Sequence, residues 1–195
     1  MPRQLYAEKL LVSDDELDLE LLTQVHAALQ GKYSKTKGGL RNAEDELNTD
    51  PQFNKWDSWK RENTEGPDIY DPNIPPSGID AVLFHALMEM EIFPKVEGAR
   101  PEYCVHAYEM PEGGRMDWHN DGAFPVACTI YLNDVSGGEL EVRLDKSYEG
   151  VYPTVFVEPR AGRAVCIKGG TEHRVLPVVE GLRKTLQIFV HYTRE

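Results

Sequence analysis

YCVHAYEM (residues 103–110) begins the part of the chain that decides the fold. From Pro101 onward, apolar and polar residues alternate with a period of about two, which is typical of β-strands that bury one face. Six further runs follow, separated by Gly, Pro, Asn or Asp: PVACTIYLND (125–134), GELEVRL (138–144), TVFVEP (154–159), RAVCIKG (163–169), HRVLPVVE (173–180) and TLQIFVHYT (185–193). Short strands at close spacing without intervening helices predict a mainly β fold, either an antiparallel barrel or a two-sheet jelly roll.

The first hundred residues have a different character. Residues 14–30 carry leucine and valine at three- and four-residue spacing behind an acidic first turn, which predicts an amphipathic helix that covers one face of the sheet. A second helix is predicted over 77–93, with Ser77 as its N-cap. The intervening residues 34–76 are polar and rich in turn-forming residues. We therefore expect one domain over 1–195, with a helical layer and polar insert over 1–100 and a β core over 101–195.

Composition disfavours several classes of partner. The 33 acidic and 21 basic residues give a net charge of -12, which repels nucleic-acid backbones and anionic membranes. No window approaches the roughly 20 apolar residues of a membrane-spanning helix, and the N-terminus lacks the apolar stretch of a secretory signal. We expect a cytoplasmic protein. The three cysteines, Cys104, Cys128 and Cys166, lie in β-like runs without CxxC spacing, so we expect buried thiols.

The sequence WHND places two metal-binding side chains on one face of a strand. His119 and Asp121 are two residues apart, so on extended backbone both project to the same side and can bind one ion. His173, at the start of a later strand, is the candidate third ligand. Two imidazoles and one carboxylate leave adjacent coordination positions open, an arrangement associated with Fe(II) oxygenases. The helical HExxH signature of many zinc enzymes is absent.

A candidate anion-binding residue follows the third ligand. Arg183 comes after the turn-like VEGL (179–182) and opens the strand RKTLQIFVHY. A planar guanidinium binds a carboxylate through two parallel hydrogen bonds, which the ammonium of Lys184 cannot do.

Together these motifs resemble the 2-oxoglutarate- and Fe(II)-dependent oxygenases, especially their prolyl-4-hydroxylase-like branch. The resemblance covers about residues 101–195 and consists of five segments in the family's order: YEMPEGGRMDWHND (108–121), ACTIYLND (127–134), SGGELEV (136–142), PRAGRAVCIKGGTEHRVLPV (159–178) and GLRKTLQIFV (181–190). It implies a double-stranded β-helix, a jelly-roll barrel whose open mouth holds iron through His119, Asp121 and His173.

The resemblance also assigns roles to the pocket. In such enzymes 2-oxoglutarate chelates the iron, and a basic residue, here Arg183, binds its far carboxylate. Tyr131 matches the co-substrate-binding tyrosine of the family, and Thr129 shares its face of the strand. Three more residues are pocket candidates because of their face or their position: Thr185 and Gln187, which share the face of Arg183, and Tyr108, which matches an upstream aromatic position. Ordinary barrel packing is the alternative for Tyr131, Thr185, Gln187 and Tyr108.

Two positions bear on the reaction. Related halogenases replace the carboxylate ligand with Gly or Ala, whereas this chain has Asp121, which favours hydroxylation. Nucleic-acid demethylases of the family carry a second arginine where Phe189 stands here, which disfavours a nucleobase substrate. We expect hydroxylation of a peptidyl proline or a small amino-acid-like substrate with release of succinate and CO2. Fe(II), 2-oxoglutarate and O2 are the expected cofactors, with ascorbate as a reductant.

Other interpretations remain open. The first is a cupin-like barrel that binds a metal or a small acid without oxygenase turnover, against which Arg183 argues. The second is a metal hydrolase with Glu172 as its base, although on a strand this side chain faces away from His173. Trp56, Trp59 and Tyr70 in the polar insert form either a lid over the substrate or anchors that pin a loop to the core.

Overall fold

The computed structural model describes residues 3–14, 17–29, 34–36, 53–57, 97–122, 124–145 and 150–194. These ranges form one helix and a set of antiparallel strands. Their bounds are β1 (Arg3–Tyr6), β2 (Leu10–Ser13), α1 (Leu19–Leu29), β3 (Ser34–Thr36), β4 (Phe53–Asp57), β5 (Ala99–Pro111), β6 (Met116–His119), β7 (Val126–Tyr131), β8 (Ser136–Gly137), β9 (Leu140–Arg143), β10 (Thr154–Val157), β11 (Ala164–Lys168), β12 (His173–Val175), β13 (Val178–Glu180) and β14 (Leu182–Arg194).

The strands form two main sheets. The major sheet has the order β1-β2-β11-β7-β14-β5-β4-β3, and the minor sheet has the order β10-β9-β12-β6. Strands β13 and β8 pair separately. An apolar cluster joins the two main sheets, since it contains Val165 and Tyr131 from the major sheet with Val142 and Val175 from the minor one. Two packed antiparallel sheets confirm the predicted jelly-roll architecture.

A second apolar layer lies on the other face of the major sheet. Helix α1 contributes Leu22, Val25 and Leu29, which pack against Ile130 and Ile188 of the sheet. The helix therefore covers the sheet as predicted. Cys128 and Cys166 are opposite each other in the register of β7 and β11 and are buried in this layer as thiols, also as predicted. The side chain of Cys104 lies outside the described part of the structure.

The helix begins later than the sequence predicts. The backbone N–H of Leu21 donates a 2.8 Å hydrogen bond to Asp18 Oδ1, so Asp18 is the N-cap and the predicted start at residue 14 is wrong. Asp14 instead pairs with Arg163, and Leu17 donates its N–H to the carbonyl of Gly162. Asp14 and Leu17 thus connect the chain to the loop before β11.

Within the described parts of residues 1–100, the predicted helical layer also contains strands β1 to β4. Strand β2 adds to the edge of the sheet beside β11, and β4 pairs with β5. Strands of three to five residues carry too little periodicity to be separated from turns by sequence alone. The predicted helix over 77–93, Ser77, Trp59, Tyr70 and the side chain of Trp56 lie outside the described parts of the chain. No helix within those parts has the length and apolar character needed to cross a bilayer.

Candidate metal and co-substrate site

A cleft opens between the two sheets. The cleft spans about 490 Å³ of space, part of which is open solvent. The lining side chains come from both sheets: Tyr108, Met110, Met116, His119, Asp121, Thr129, Leu140, His173, Val175, Arg183, Thr185, Gln187 and Phe189. Nine of these thirteen stand at positions that the sequence motifs single out, and the cleft brings them together.

The three predicted metal ligands meet at this cleft. His119 ends β6 and His173 begins β12, and the two residues are direct partners in the register of these strands. Asp121 follows His119 by two residues. One ligand atom from each of the three lies within 4.8 Å of the other two, and the imidazole centroids are 4.2 Å apart. We call these three residues the metal triad.

Both imidazoles are oriented by backbone carbonyls. His119 Nδ1 is 2.7 Å from the carbonyl oxygen of Asp117, and His173 Nδ1 is 3.0 Å from that of Thr171. A neutral imidazole that donates from Nδ1 keeps the lone pair of Nε2 for a metal. Burial, followed by the nearby His119, lowers the pKa of His173 and favours its neutral form. The tautomer required of a ligand is therefore set by the backbone.

The carboxylate of Asp121 supports the same interpretation. Its Oδ2 atom is buried without a hydrogen bond to any described residue, 3.4 Å from Nε2 of His173. With the proton of His173 on Nδ1, a carboxylate oxygen and an imidazole lone pair face each other as two acceptors, which is unfavourable unless a cation lies between them. A divalent metal bound by the metal triad removes this conflict, so the residues present fit such an ion.

Arg183 occupies the opposite wall of the cleft. Its side chain is almost completely buried, and its Nε–H donates a 3.0 Å hydrogen bond to the carbonyl of Gly138. Its guanidinium carbon lies 5.1 Å from the ring centroid of Tyr131. The neighbouring Lys184 points away from the cleft, with Nζ 3.6 Å from Glu109 Oε1. Of the two adjacent cations, Arg183 is the one available to a ligand in the cleft.

Four of the five pocket residues predicted on the major sheet line the cleft, and the fifth, Tyr131, does not. Thr129 and Gln187 line the cleft and are joined by a 2.7 Å hydrogen bond from Thr129 Oγ1 to Gln187 Oε1. Thr185 lies between Tyr131 on β7 and Tyr108 on β5 in the sheet register, and it also lines the cleft with Tyr108.

Tyr131 lies behind Arg183 and outside the set of lining side chains. Burial raises the pKa of its phenol, with Arg183 acting in the opposite direction, so the hydroxyl remains a potential donor. Among the described residues, the Tyr131 hydroxyl has no hydrogen-bond partner of normal geometry. The Arg183 guanidinium is nevertheless close enough to lower the pKa of this hydroxyl.

Four apolar residues of the cleft lining were not predicted from the sequence. They are Met110, Leu140 and Val175, which lie on strands that the sequence predicted, and Met116, which lies on β6 outside the predicted runs. Strand alternation could have placed Met110 from Tyr108 and Val175 from His173. It could not have placed Met116, which lies an odd number of residues before His119, at the point where the register of β6 with β12 shifts. Phe189, already noted from the sequence, also lines the cleft and stacks on Phe124 with 4.4 Å between ring centroids.

Glu172 faces away from the metal triad. Its Oε2 accepts a 2.9 Å hydrogen bond from Arg143, and half of its side chain is exposed. The alternative of a metal hydrolase therefore loses its proposed base, because the carboxylate points to the outer surface of the minor sheet.

Comparison with known proteins agrees with this geometry. Residues 103–191 match the 2OG-Fe(II) oxygenase superfamily. The matched segment contains the metal triad and Arg183. The resemblance inferred from the motifs is therefore confirmed for the β core.

Relatives of this chain are consistent with that match. A PKHD-type hydroxylase of Xanthomonas euvesicatoria pv. vesicatoria is 30% identical over 110 residues, which cover 53% of this chain and 46% of the relative, so the match spans about half of that protein. A Pseudomonas putida prolyl-4-hydroxylase superposes with a TM-score of 0.59 at 19% identity, covering 96% of this chain and 93% of the other. The 2-oxoglutarate-dependent epimerase SnoN from nogalamycin biosynthesis superposes with a TM-score of 0.62 at 12% identity, covering 95% and 78%. These two structures share the fold.

Proposed function

We propose that this protein is a 2-oxoglutarate- and Fe(II)-dependent dioxygenase that hydroxylates an unactivated C–H bond. The observation that carries the proposal is one cleft in which the metal triad faces a buried arginine. A metal-binding barrel without turnover needs the triad but has no use for a buried guanidinium across the cleft. An enzyme that binds a dicarboxylic co-substrate needs both.

The metal triad is proposed to hold Fe(II). When bound there, Fe(II) and 2-oxoglutarate supply the chemistry, in which O2 oxidises the co-substrate to succinate and CO2 and the substrate is hydroxylated. The protein contributes neutral Nε2 lone pairs, fixed by the carbonyls of Asp117 and Thr171, and the buried carboxylate of Asp121. Three ligands leave the remaining coordination positions to the reactants.

Arg183 is proposed to bind the far carboxylate of 2-oxoglutarate. The Gly138 carbonyl holds its Nε–H, which leaves the two terminal nitrogens for a bidentate contact. Thr185 and the buried hydroxyl of Tyr131 are proposed as additional donors to the co-substrate. Thr129, Gln187 and Tyr108 complete the polar wall on the same sheet.

The remaining walls exclude water from the reaction. Met110, Leu140 and Val175 are buried apolar side chains in the cleft lining. Dry walls strengthen the attraction between Arg183 and a carboxylate and limit side reactions of the oxidant. The chain therefore contributes binding, orientation and shielding.

The substrate is proposed to be a peptidyl proline or a small amino-acid-like molecule. Similarity to proteins named as PKHD-type and prolyl-4-hydroxylases supports the first choice. Phe189, stacked on Phe124, provides an aromatic wall where a neutral ring can lie. The acidic composition argues against nucleic acid. Ascorbate as reductant, a cytoplasmic location and a single domain over 1–195 stay predictions.

The proposal is tested by a panel of prolyl peptides, free amino acids and small amines, incubated with Fe(II), 2-oxoglutarate and ascorbate. We expect succinate release coupled to a product that is heavier by one oxygen atom. Metal binding without 2-oxoglutarate binding would instead support the cupin-like alternative. Succinate release without a modified product would show that the panel lacks the substrate, and the oxygenase activity itself would stand.

A further inference from the structure

The side chain of Arg183 packs directly against the backbone of Gly138. Gly138 has a φ of +69°, a conformation that L side chains rarely adopt. A Cβ atom built there would lie 2.9 Å from Cδ of Arg183 and 3.2 Å from Cγ2 of Val178. The carbonyl of the same glycine accepts the Nε–H of Arg183 at 3.0 Å. One residue therefore provides both the space and the hydrogen bond that the arginine needs.

The adjacent glycine has a different environment. A Cβ atom at Gly137 would meet backbone atoms, namely the carbonyl oxygen of Pro177 and the nitrogen of Val179, each at 2.6 Å. Backbone atoms can move away only if the turn itself rearranges. A side chain at Gly137 would therefore disturb the pairing of β8 with β13. At Gly138 the atom nearest to a new Cβ belongs to the flexible side chain of Arg183. A substitution there displaces the arginine before it displaces the turn.

We propose that Gly138 is a positioning residue for the 2-oxo acid, acting through Arg183. Its carbonyl fixes the Nε edge of the guanidinium, and its missing side chain lets the terminal nitrogens reach the cleft. This inference rests on the proposed function, because it assumes that Arg183 binds the far carboxylate. Bidentate binding depends on the angle of the guanidinium plane, so a small displacement weakens it strongly.

The test is Gly138→Ala, with calorimetric titration of 2-oxoglutarate into the Mn(II)-loaded protein, which cannot turn over. We expect 2-oxoglutarate to bind roughly tenfold more weakly or worse, since one charge-assisted hydrogen bond is misaligned. Mn(II) affinity should not change. Gly98→Ala is the matched control, because Gly98 has a φ of +67° and no atom of the described residues within 4 Å of its built Cβ. The control carries the same backbone strain and should bind 2-oxoglutarate like the wild type.

Combination with Arg183→Ala separates positioning from a general structural effect. We expect Gly138→Ala to weaken 2-oxoglutarate binding only when Arg183 is present, and to add nothing in the Arg183→Ala background. An equal loss in both backgrounds, or wild-type affinity in Gly138→Ala, would overturn the inference. Failure of the wild type to bind 2-oxoglutarate would instead overturn the proposed function.

A second variant covers the case in which Gly138→Ala does not fold. Arg183→Lys keeps the charge and Gly138 but removes the Nε–H that the glycine carbonyl accepts. We expect a 2-oxoglutarate affinity between those of the wild type and Arg183→Ala, with the fold intact by circular dichroism. Wild-type affinity in Arg183→Lys would show that the contact with Gly138 does not position the cation, and the inference would fail.

Discussion

The two faces of strands β7 and β14 differ sharply although they are built from alternating residues of the same segments. The outer face is apolar and packs under α1, with Cys128, Ile130, Leu186 and Ile188 all at 0–1% exposure. The inner face carries Thr129, Tyr131, Arg183 and Thr185, which are at 0–5% exposure, and the partly buried Gln187. Burying polar groups costs stability, whereas burying the outer residues provides it. One face therefore stabilises the fold, and the other holds the candidate site.

The largest expected effect comes from the metal triad that faces this inner wall. His173→Ala should abolish succinate formation and lower iron affinity, because the two remaining ligands hold Fe(II) weakly against water. Asp121→Gly should suppress hydroxylation in the same way. Metal content, circular dichroism and turnover are measured on the same preparation. A folded His173→Ala protein with wild-type turnover would remove that residue from the metal site.

The next effect is expected at Arg183 on the inner face. Arg183→Ala should weaken 2-oxoglutarate binding by about 3 kcal/mol, roughly a hundredfold, because a desolvated carboxylate loses its partner. The apparent KM for 2-oxoglutarate should rise while Fe(II) affinity stays nearly constant. Steady-state kinetics with 2-oxoglutarate varied at saturating substrate provide the measurement. An unchanged KM would mean that another cation binds the acid.

A substitution on the outer face should lower stability and leave 2-oxoglutarate binding unchanged. Ile188→Val removes one buried methylene group and should lower the free energy of unfolding by about 1 kcal/mol. The KM for 2-oxoglutarate should not change, because Ile188 faces α1 and not the cleft. Urea denaturation and kinetics on the same variant check both parts. A raised KM without loss of stability would break the division between the two faces.

The smallest effect is expected at the N-terminal edge, remote from both faces. The hydrogen bond from Arg163 holds the pKa of Asp14 below its ordinary value. A lowered folded-state pKa stabilises the fold above the unfolded pKa, and this contribution is lost as the pH falls through the folded value. Asp14 is partly exposed, so Asp14→Asn should cost under about 1 kcal/mol near neutral pH.

The stability difference between the wild type and Asp14→Asn should begin to shrink as the pH falls below the ordinary Asp pKa of about 4. It should vanish only when the pH is below the lowered folded-state pKa of Asp14. Urea denaturation at neutral and at acidic pH gives the comparison. A stability difference that does not depend on pH would show that the Asp14–Arg163 pair acts through packing and not through charge.

The sequence predicted those parts of the molecule that depend on periodicity. Alternation in ACTIYLND placed Thr129 and Tyr131 on one face, and the structure confirms this face. The HxD spacing placed His119 and Asp121 together, and His173 joins them because β12 pairs with β6. Motif order supplied this last step, since spacing along the chain does not specify which strands become neighbours.

Local signals also misled at the start of the chain. The acidic run before α1 resembles a first helical turn, yet Asp14 forms an ion pair with Arg163, which is far away in sequence. Strands β1 and β2 are four residues each. Strand β2 pairs with β11 and β1 pairs with β2, which no local pattern reveals. The contact between Gly138 and Arg183 is also non-local. The segment SGGELEV contributed to the family resemblance but did not reveal which side chain needs the space beside Gly138.

The central claim is that the inner face binds a 2-oxo acid beside a metal held by His119, Asp121 and His173. It is tested most directly by anaerobic titration of the Fe(II)-loaded protein with 2-oxoglutarate, followed by visible absorption. We expect a weak charge-transfer band that saturates at one equivalent in the wild type and in Ile188→Val. The band should require much higher 2-oxoglutarate in Arg183→Ala. Fe(II) binding without any such band in the wild type would contradict the account.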